Sequence, residues 1–154
     1  PLYPKLIYYL GDAQCHQKSY RTFYINGNEM PVCARDAAIY IGLSIGLLIA
    51  LFISYTTSPS RTFMSIFPSK LRALVERKKL GRIIFIMLFV ALMFLPLAVD
   101  GTLQLFTGYE SSNTVRVLTG LPLGFISGYI IGVLIGTLSE IRREERLLAE
   151  RASG

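Results

Sequence analysis

Three uncharged stretches constrain what this chain can fold into. Ala37–Tyr55, Ile83–Val99 and Val117–Leu138 contain no Asp, Glu, Lys or Arg. A helix that crosses a bilayer core needs ~20 apolar residues, with a workable range of roughly 17–25. All three stretches fit. Each is apolar around its whole circumference, whereas a helix in a soluble bundle keeps a polar face. None has the early position and small-residue cleavage pattern of a secretory signal. The sequence predicts an all-α integral membrane protein with three transmembrane helices, 37–55, 83–99 and 117–138, in a single membrane domain spanning residues 1–154.

The net charge of +6 is unevenly placed. Arg61, Lys70, Arg72, Arg77, Lys78, Lys79 and Arg82 lie between the first two stretches, opposed by Glu76 alone. Residues 100–114, between the second and third, have no Lys or Arg. Cytoplasmic loops are the ones rich in Lys and Arg. The N-terminal segment 1–36 is therefore expected outside and the tail 139–154 in the cytoplasm, with a prokaryotic cytoplasmic membrane as the location. Arg142, Arg143, Arg146 and Arg151 in the tail agree. Membrane lipid is an expected partner of the basic side. Nucleic acid is not, because no aromatic–basic platform accompanies the charge.

Small residues recur every four positions in two of the stretches. Gly120, Gly124, Gly128, Gly132 and Gly136 mark the third; Ala38, Gly42, Gly46, Ala50 and Ser54 mark the first. Such spacing puts each set on one helix face. Membrane helices associate through small residues that let backbones approach, so the first and third helices are expected to pack along these ladders. Pro96 is expected to kink or end the second helix. Lys70–Leu80, capped by Ser69, reads as a cytoplasmic amphipathic helix. Thr22–Ile25, followed by Asn26-Gly27, reads as a short strand or an interfacial segment.

The polar residues cluster at the side expected to be outer. Cys15, His16, Cys33 and Asp36 flank the mouth of the first helix, and each type ligates zinc. The competing reading is a disulfide, since the chain has two cysteines and both are expected on the oxidising side. A second cluster holds Asp100, Gln104, Glu110, Asn113 and Arg116. Arg116 can pair with Asp100, Glu110 or Asp36, and Ser112 or Asn113 can cap the third helix. Together with Arg35 these residues describe a polar outer pocket suited to a metal, a phosphate or a headgroup. No nucleotide loop, nucleophile elbow or His-Glu-x-x-His pair is present, and no catalytic residue is assigned.

These residues, in order, resemble a known family. Cys15-His16-Gln17, Arg21-x-Phe23, Gly27-x-x-Met30-Pro31-Val32-Cys33-Ala34-Arg35 and Ile39-Tyr40-x-Gly42 look like the small membrane proteins grouped as domain-of-unknown-function 2085. Asp100-Gly101, Gln104, Glu110-Ser111-x-Asn113, Arg116 and Thr119-Gly120 continue the pattern, which runs from residue 15 to about 136. The resemblance implies no assigned activity. It does imply that the two polar clusters belong together. The family typically has cysteine at the position of Asp36, giving a two-plus-two ligand set with Cys15 and His16. With Asp36 in that place, a Cys15–Cys33 disulfide is expected over zinc.

The function expected is that of an accessory or assembly subunit of a larger membrane complex, with electron transfer and pigment binding as candidate settings and other membrane subunits as partners. The alternative is a membrane enzyme or lipid-binding protein using the outer pocket, with or without zinc.

Overall fold

Two of the apolar stretches, the second and third, become helices longer than their charge-free limits, and the first becomes a shorter one. A computed structural model describes residues 2–13, 15, 18–75 and 79–153, with side chains for all of these except 2–4 and 153. The helices are α1 (Leu2–Asp12), α2 (Ala34–Ala50), α3 (Pro59–Met64), α4 (Ser69–Val75), α5 (Lys79–Phe106) and α6 (Asn113–Ser153). Strands β1 (Thr22–Ile25) and β2 (Asn28–Cys33) pair antiparallel between α1 and α2.

That hairpin corrects the all-α expectation. Asn26 and Gly27 both have positive φ, 50° and 76°, the combination a type I′ turn requires. Ile25 pairs with Asn28 and Tyr24 with Glu29, but Thr22 pairs with Cys33. The two-residue slip falls at Pro31 and Val32, where Pro31 has no N–H to give the ladder. The slip sets Cys33 opposite Thr22, at the start of α2.

Among the described residues two helices, α5 and α6, are long and apolar enough to cross a membrane. α2 has 17 residues, about 26 Å at the helical rise, short of the ~30 Å hydrocarbon core. The expected span to Tyr55 is corrected: the helix stops at Ala50, and Thr56–Ser58 turn toward α3. Pro96 lies inside α5, which runs ten residues past it. Asp100 likewise sits within the helix rather than at its end. α6 starts as expected from Ser112, whose carbonyl accepts Arg116 N–H (3.0 Å) and whose Oγ faces Val115 N–H (3.4 Å).

α2 and α6 run parallel and nearly in register. A Cβ on Gly120 would lie 2.6 Å from the Arg35 carbonyl; one on Gly124 would strike Ile39, and one on Gly128 would strike Leu43. From the other side, a Cβ on Gly42 or Gly46 would collide with backbone of α6 between Leu121 and Tyr129. Gly132 meets Ala50, and Gly136 meets the Tyr55 ring. Glycine at these positions is a packing requirement.

The connector 56–69 is more than a surface strap. Pro59 opens α3 in its first turn, where its missing N–H costs nothing, and Thr62, Phe63 and Met64 are buried. Tyr129 OH donates to the Phe63 carbonyl (2.8 Å) and Thr137 Oγ1 to Thr62 Oγ1 (3.2 Å). Phe63 meets Tyr129 edge-on at 5.1 Å, and Phe67 meets Phe85 and Phe89 at 5.2 and 5.1 Å. The core centres on Ala50, Phe63, Ile126, Tyr129 and Val133. α4 begins at Ser69 itself, so Ser69 is not a cap, and the expected amphipathic helix to Leu80 is described only through Val75; residues 76–78 lie outside the described residues.

Candidate functional site

The polar residues gather where α2 and α6 begin and α5 ends. Arg35, in the first turn of α2, pairs with Asp100 of α5. Gln104, one turn further on, donates from Nε2 to Asp100 Oδ2 (2.7 Å) and Ser111 Oγ (3.0 Å). Arg35 Nη2 also reaches Ser111 Oγ at 3.4 Å. Arg116 donates from Nε to the Ser111 carbonyl (3.0 Å). Ser111 is thus the hub that ties three elements together. Asp100, Ser111 and Arg116 are all buried, and every one sits next to a charge or an amide, as burial of polar groups requires.

The expected partners of Arg116 are corrected. Asp100 is taken by Arg35 and Glu110 by Arg21 (2.8 Å). Among the described residues no carboxylate pairs with Arg116. Its guanidinium is pushed below its ordinary value by burial, then by the charges of Arg21 and Arg35. The hairpin closes over this cluster: Asn113 Nδ2 donates to the Thr22 carbonyl (3.3 Å), and Tyr20 OH donates to Glu110 (2.9 Å). On its other side Thr22 Oγ1 donates to Glu29 (2.7 Å).

Glu110 is held below the usual carboxylate range by the Tyr20 hydroxyl, then by the Arg21 guanidinium. A depressed carboxyl stabilises above its unfolded value and stops doing so as pH falls through its folded value. Docking of the hairpin on Glu110 should therefore be complete at neutral pH and loosen below about pH 4. Amide hydrogen exchange at residues 19–22 measures it; acid should speed exchange there, and Glu110→Gln should abolish that pH dependence.

The second cluster lies at the mouth of α2. Cys33 is the N-cap, and Asp36 follows in the first turn. This spacing brings the carboxylate back over the cap, and Cys33 Sγ–H donates to Asp36 Oδ2 at 3.2 Å. Cys15 completes a group whose three ligand atoms lie within 4.8 Å of one another. The expected disulfide is corrected: both cysteines are free thiols. The Cys33 thiol is instead hydrogen-bonded with Asp36 and Cys15. Burial first, with the Asp36 charge adding to it, pushes that thiol up to about 11. The expected proximity of the two cysteines does hold. His16 lies outside the described residues.

The donor set fits a zinc ion. Two sulfurs and a carboxylate are accepted zinc ligands, and tetrahedral bonds of ~2.0–2.3 Å put sulfur and oxygen about 3.5 Å apart. The 3.2 Å between Cys33 Sγ and Asp36 Oδ2 is close to that. Between α5 and α6, beside Asp100, runs a groove of about 380 Å³ lined by Leu95, Val99, Leu103, Val115 and Thr119.

The pattern of a family described as predicted membrane proteins matches residues 15–130, which takes in both clusters, the α2 ladder and the α6 ladder as far as Gly128. The chain belongs to the DUF2085 family. Two archaeal relatives, both uncharacterized proteins, support the assignment. The one from Methanocaldococcus jannaschii is 32% identical over 72% of this chain and 56% of its own length. The one from Methanothermobacter thermautotrophicus is 33% identical over 71% of this chain and 77% of its own. The chain thus spans little more than half of the first relative. No solved structure matches it.

Membership in DUF2085 accounts for residues that pattern reading left outside the pocket. Tyr20, Arg21, Thr22 and Ser111 all bond within the cap. Arg21 and Ser111 belong to the motifs that carry the family resemblance, and that was their signal. Tyr20 and Thr22 had none, because their partners Glu110 and Asn113 are some ninety residues away in sequence.

Proposed function

We propose that this DUF2085 protein spans the membrane three times and binds a polar ligand in a zinc-clamped cap on its outer face. The single observation that carries the reading is the convergence of Cys15, Cys33 and Asp36, from separate segments, within 4.8 Å. His16, adjacent to Cys15, would supply a fourth ligand. Zinc there would tie the segment after α1 to the start of α2 and fix the hairpin over Ser111 and Arg116. Its role is structural in this reading, because no water-activating base stands beside it among the described residues.

Three spans are supported by the way α2 follows α6. Its four-residue steps stay level with Gly120 through Gly132, and Tyr55 extends the contact to Gly136. A short helix laid against a crossing helix occupies the same depth of bilayer. The basic segment 61–82 places that end in the cytoplasm, with the cap outside. Labelling tests this: in a chain without native cysteines, Lys70→Cys should react only from the cytoplasmic side and Thr107→Cys only from outside.

The metal reading predicts one equivalent of zinc per chain after purification without chelators or after reconstitution. Cys15→Ser or Cys33→Ser should lose it, and Asp36→Cys should bind it more tightly. Elemental analysis with intact mass after alkylation is the measurement. A Cys15–Cys33 crosslink, or no zinc in the reconstituted protein, would sink the clamp.

A second reading, an accessory or assembly subunit, is favoured by α5. Leu88, Leu92, Leu95, Val99 and Leu103 form a continuous exposed apolar face on it, which lipid or another subunit would cover. Purification in mild detergent separates these; a monodisperse chain without companion proteins counts against the subunit role.

A further inference from the structure

Arg116 is the one cap arginine without an ion pair among the described residues. Arg21 is paired with Glu110, and Arg35 with Asp100. Arg116 is 3% exposed and holds one hydrogen bond, to a carbonyl. Its Nη2 is buried and has no partner among the described residues. Arg21 Nε and Arg35 Nε are buried and unpartnered in the same way. So is Asn113 Oδ1, an acceptor in the first turn of α6. These atoms belong to one cluster, for the charges of Arg21, Arg35 and, with opposite sign, Asp100 all bear on Arg116, and Ser111 is bonded to both Arg35 and Arg116. An unpaired buried cation is costly. A tetrahedral anion with several acceptor oxygens is what guanidinium forks bind best.

We propose that Arg116, flanked by Arg35 and Arg21, binds a phosphate group at the outer end of the bundle. The ligand is a phosphomonoester or phosphodiester, and Asn113 Oδ1 accepts a hydrogen bond from a hydroxyl of its alcohol part. The α5–α6 groove favours a lipid as the source. Its lining is mostly apolar and includes Asp100, and Asp100 is bonded to Arg35. An acyl chain in that groove would hold its headgroup beside the arginines. The inference rests on the ligand-binding reading of the cap and is independent of whether the clamp holds zinc.

The test uses the full chain in dodecyl maltoside micelles at constant ionic strength, with three probes: inorganic phosphate, phosphatidylglycerol, and diacylglycerol, which lacks the phosphate. Unfolding midpoints and binding titrations are read together. Phosphatidylglycerol should raise the midpoint by several degrees and diacylglycerol should not. If inorganic phosphate also raises it, the site accepts the free anion as well; if it does not, the phosphate arrives on lipid. Arg116→Met, which removes a buried charge while keeping the stem, should weaken binding at least tenfold. Arg21→Gln, at a partly exposed position, should weaken it severalfold and serves if Arg116→Met fails to fold. No response to either phosphate probe overturns the proposal, as does an equal response to diacylglycerol, or wild-type affinity in the folded variants. Zinc is assayed in the same samples. Zinc without a phosphate response removes this site and leaves the clamp; a phosphate response without zinc does the reverse.

Discussion

Replacing Gly128 with leucine is expected to separate α2 from α6 and to destabilise the protein by about 3 kcal/mol or more, the upper range for overpacking a tight contact. The colliding group is the backbone of Leu43, which has no rotamer to yield. Gly124→Leu should behave alike, since Ile39 backbone stands in its path. Gly101 provides the control. A Cβ there meets nothing within 4 Å, so Gly101→Ala should be neutral or stabilising by ~0.5–1 kcal/mol through helix propensity. Thermal unfolding of the three variants in one detergent makes the comparison. A Gly128→Leu protein as stable as its parent would mean that α2 and α6 do not share this face.

Those ladders were legible in the sequence because four-residue spacing is a local property, and the contact it implies needs only two helices side by side. The hairpin was legible only as the Asn26-Gly27 turn signal, because the alternation that would mark paired strands is weak on either side of it. Helix ends were less legible than the ladders. Charge-free limits say where a chain tolerates lipid, while α2 stops at Ala50 because the chain must turn to bring Thr62 and Phe63 back against Thr137 and Tyr129. That return is a long-range packing event with no local period. The polar cap was half legible. The types of residue and the end of the bundle they share were visible from the sequence, but not the pairing, since which arginine takes Asp100 depends on how α5 meets α2. Cys33 and Asp36 illustrate the limit. The spacing of three puts both on one turn, but whether sulfur meets sulfur or carboxylate depends on where Cys15 approaches.

Removing the Asp100 carboxylate is expected to be the most damaging single change in the cap. Asp100 is 5% exposed and is shared by Arg35 and Gln104. Asp100→Ala leaves the Arg35 guanidinium without its counter-charge in a region that already holds the unpaired Arg116. Truncating one partner of a buried ion pair typically costs ~3–5 kcal/mol, because the other charge stays buried alone. The loss should appear as a lower unfolding midpoint and faster amide exchange at the start of α2. The pair is better judged by a double-mutant cycle than by either single change. Arg35→Met with Asp100→Leu removes both charges and fills the space with apolar atoms. That double variant should recover most of the stability that Asp100→Ala loses, since buried pairs are often replaceable by hydrophobic ones. It should not recover phosphate binding, because Arg35 is gone. Stability restored while the ligand response stays weak would assign Asp100 to holding Arg35 in place and Arg35 to the ligand. A double variant that regains both would show that the cap binds without this pair.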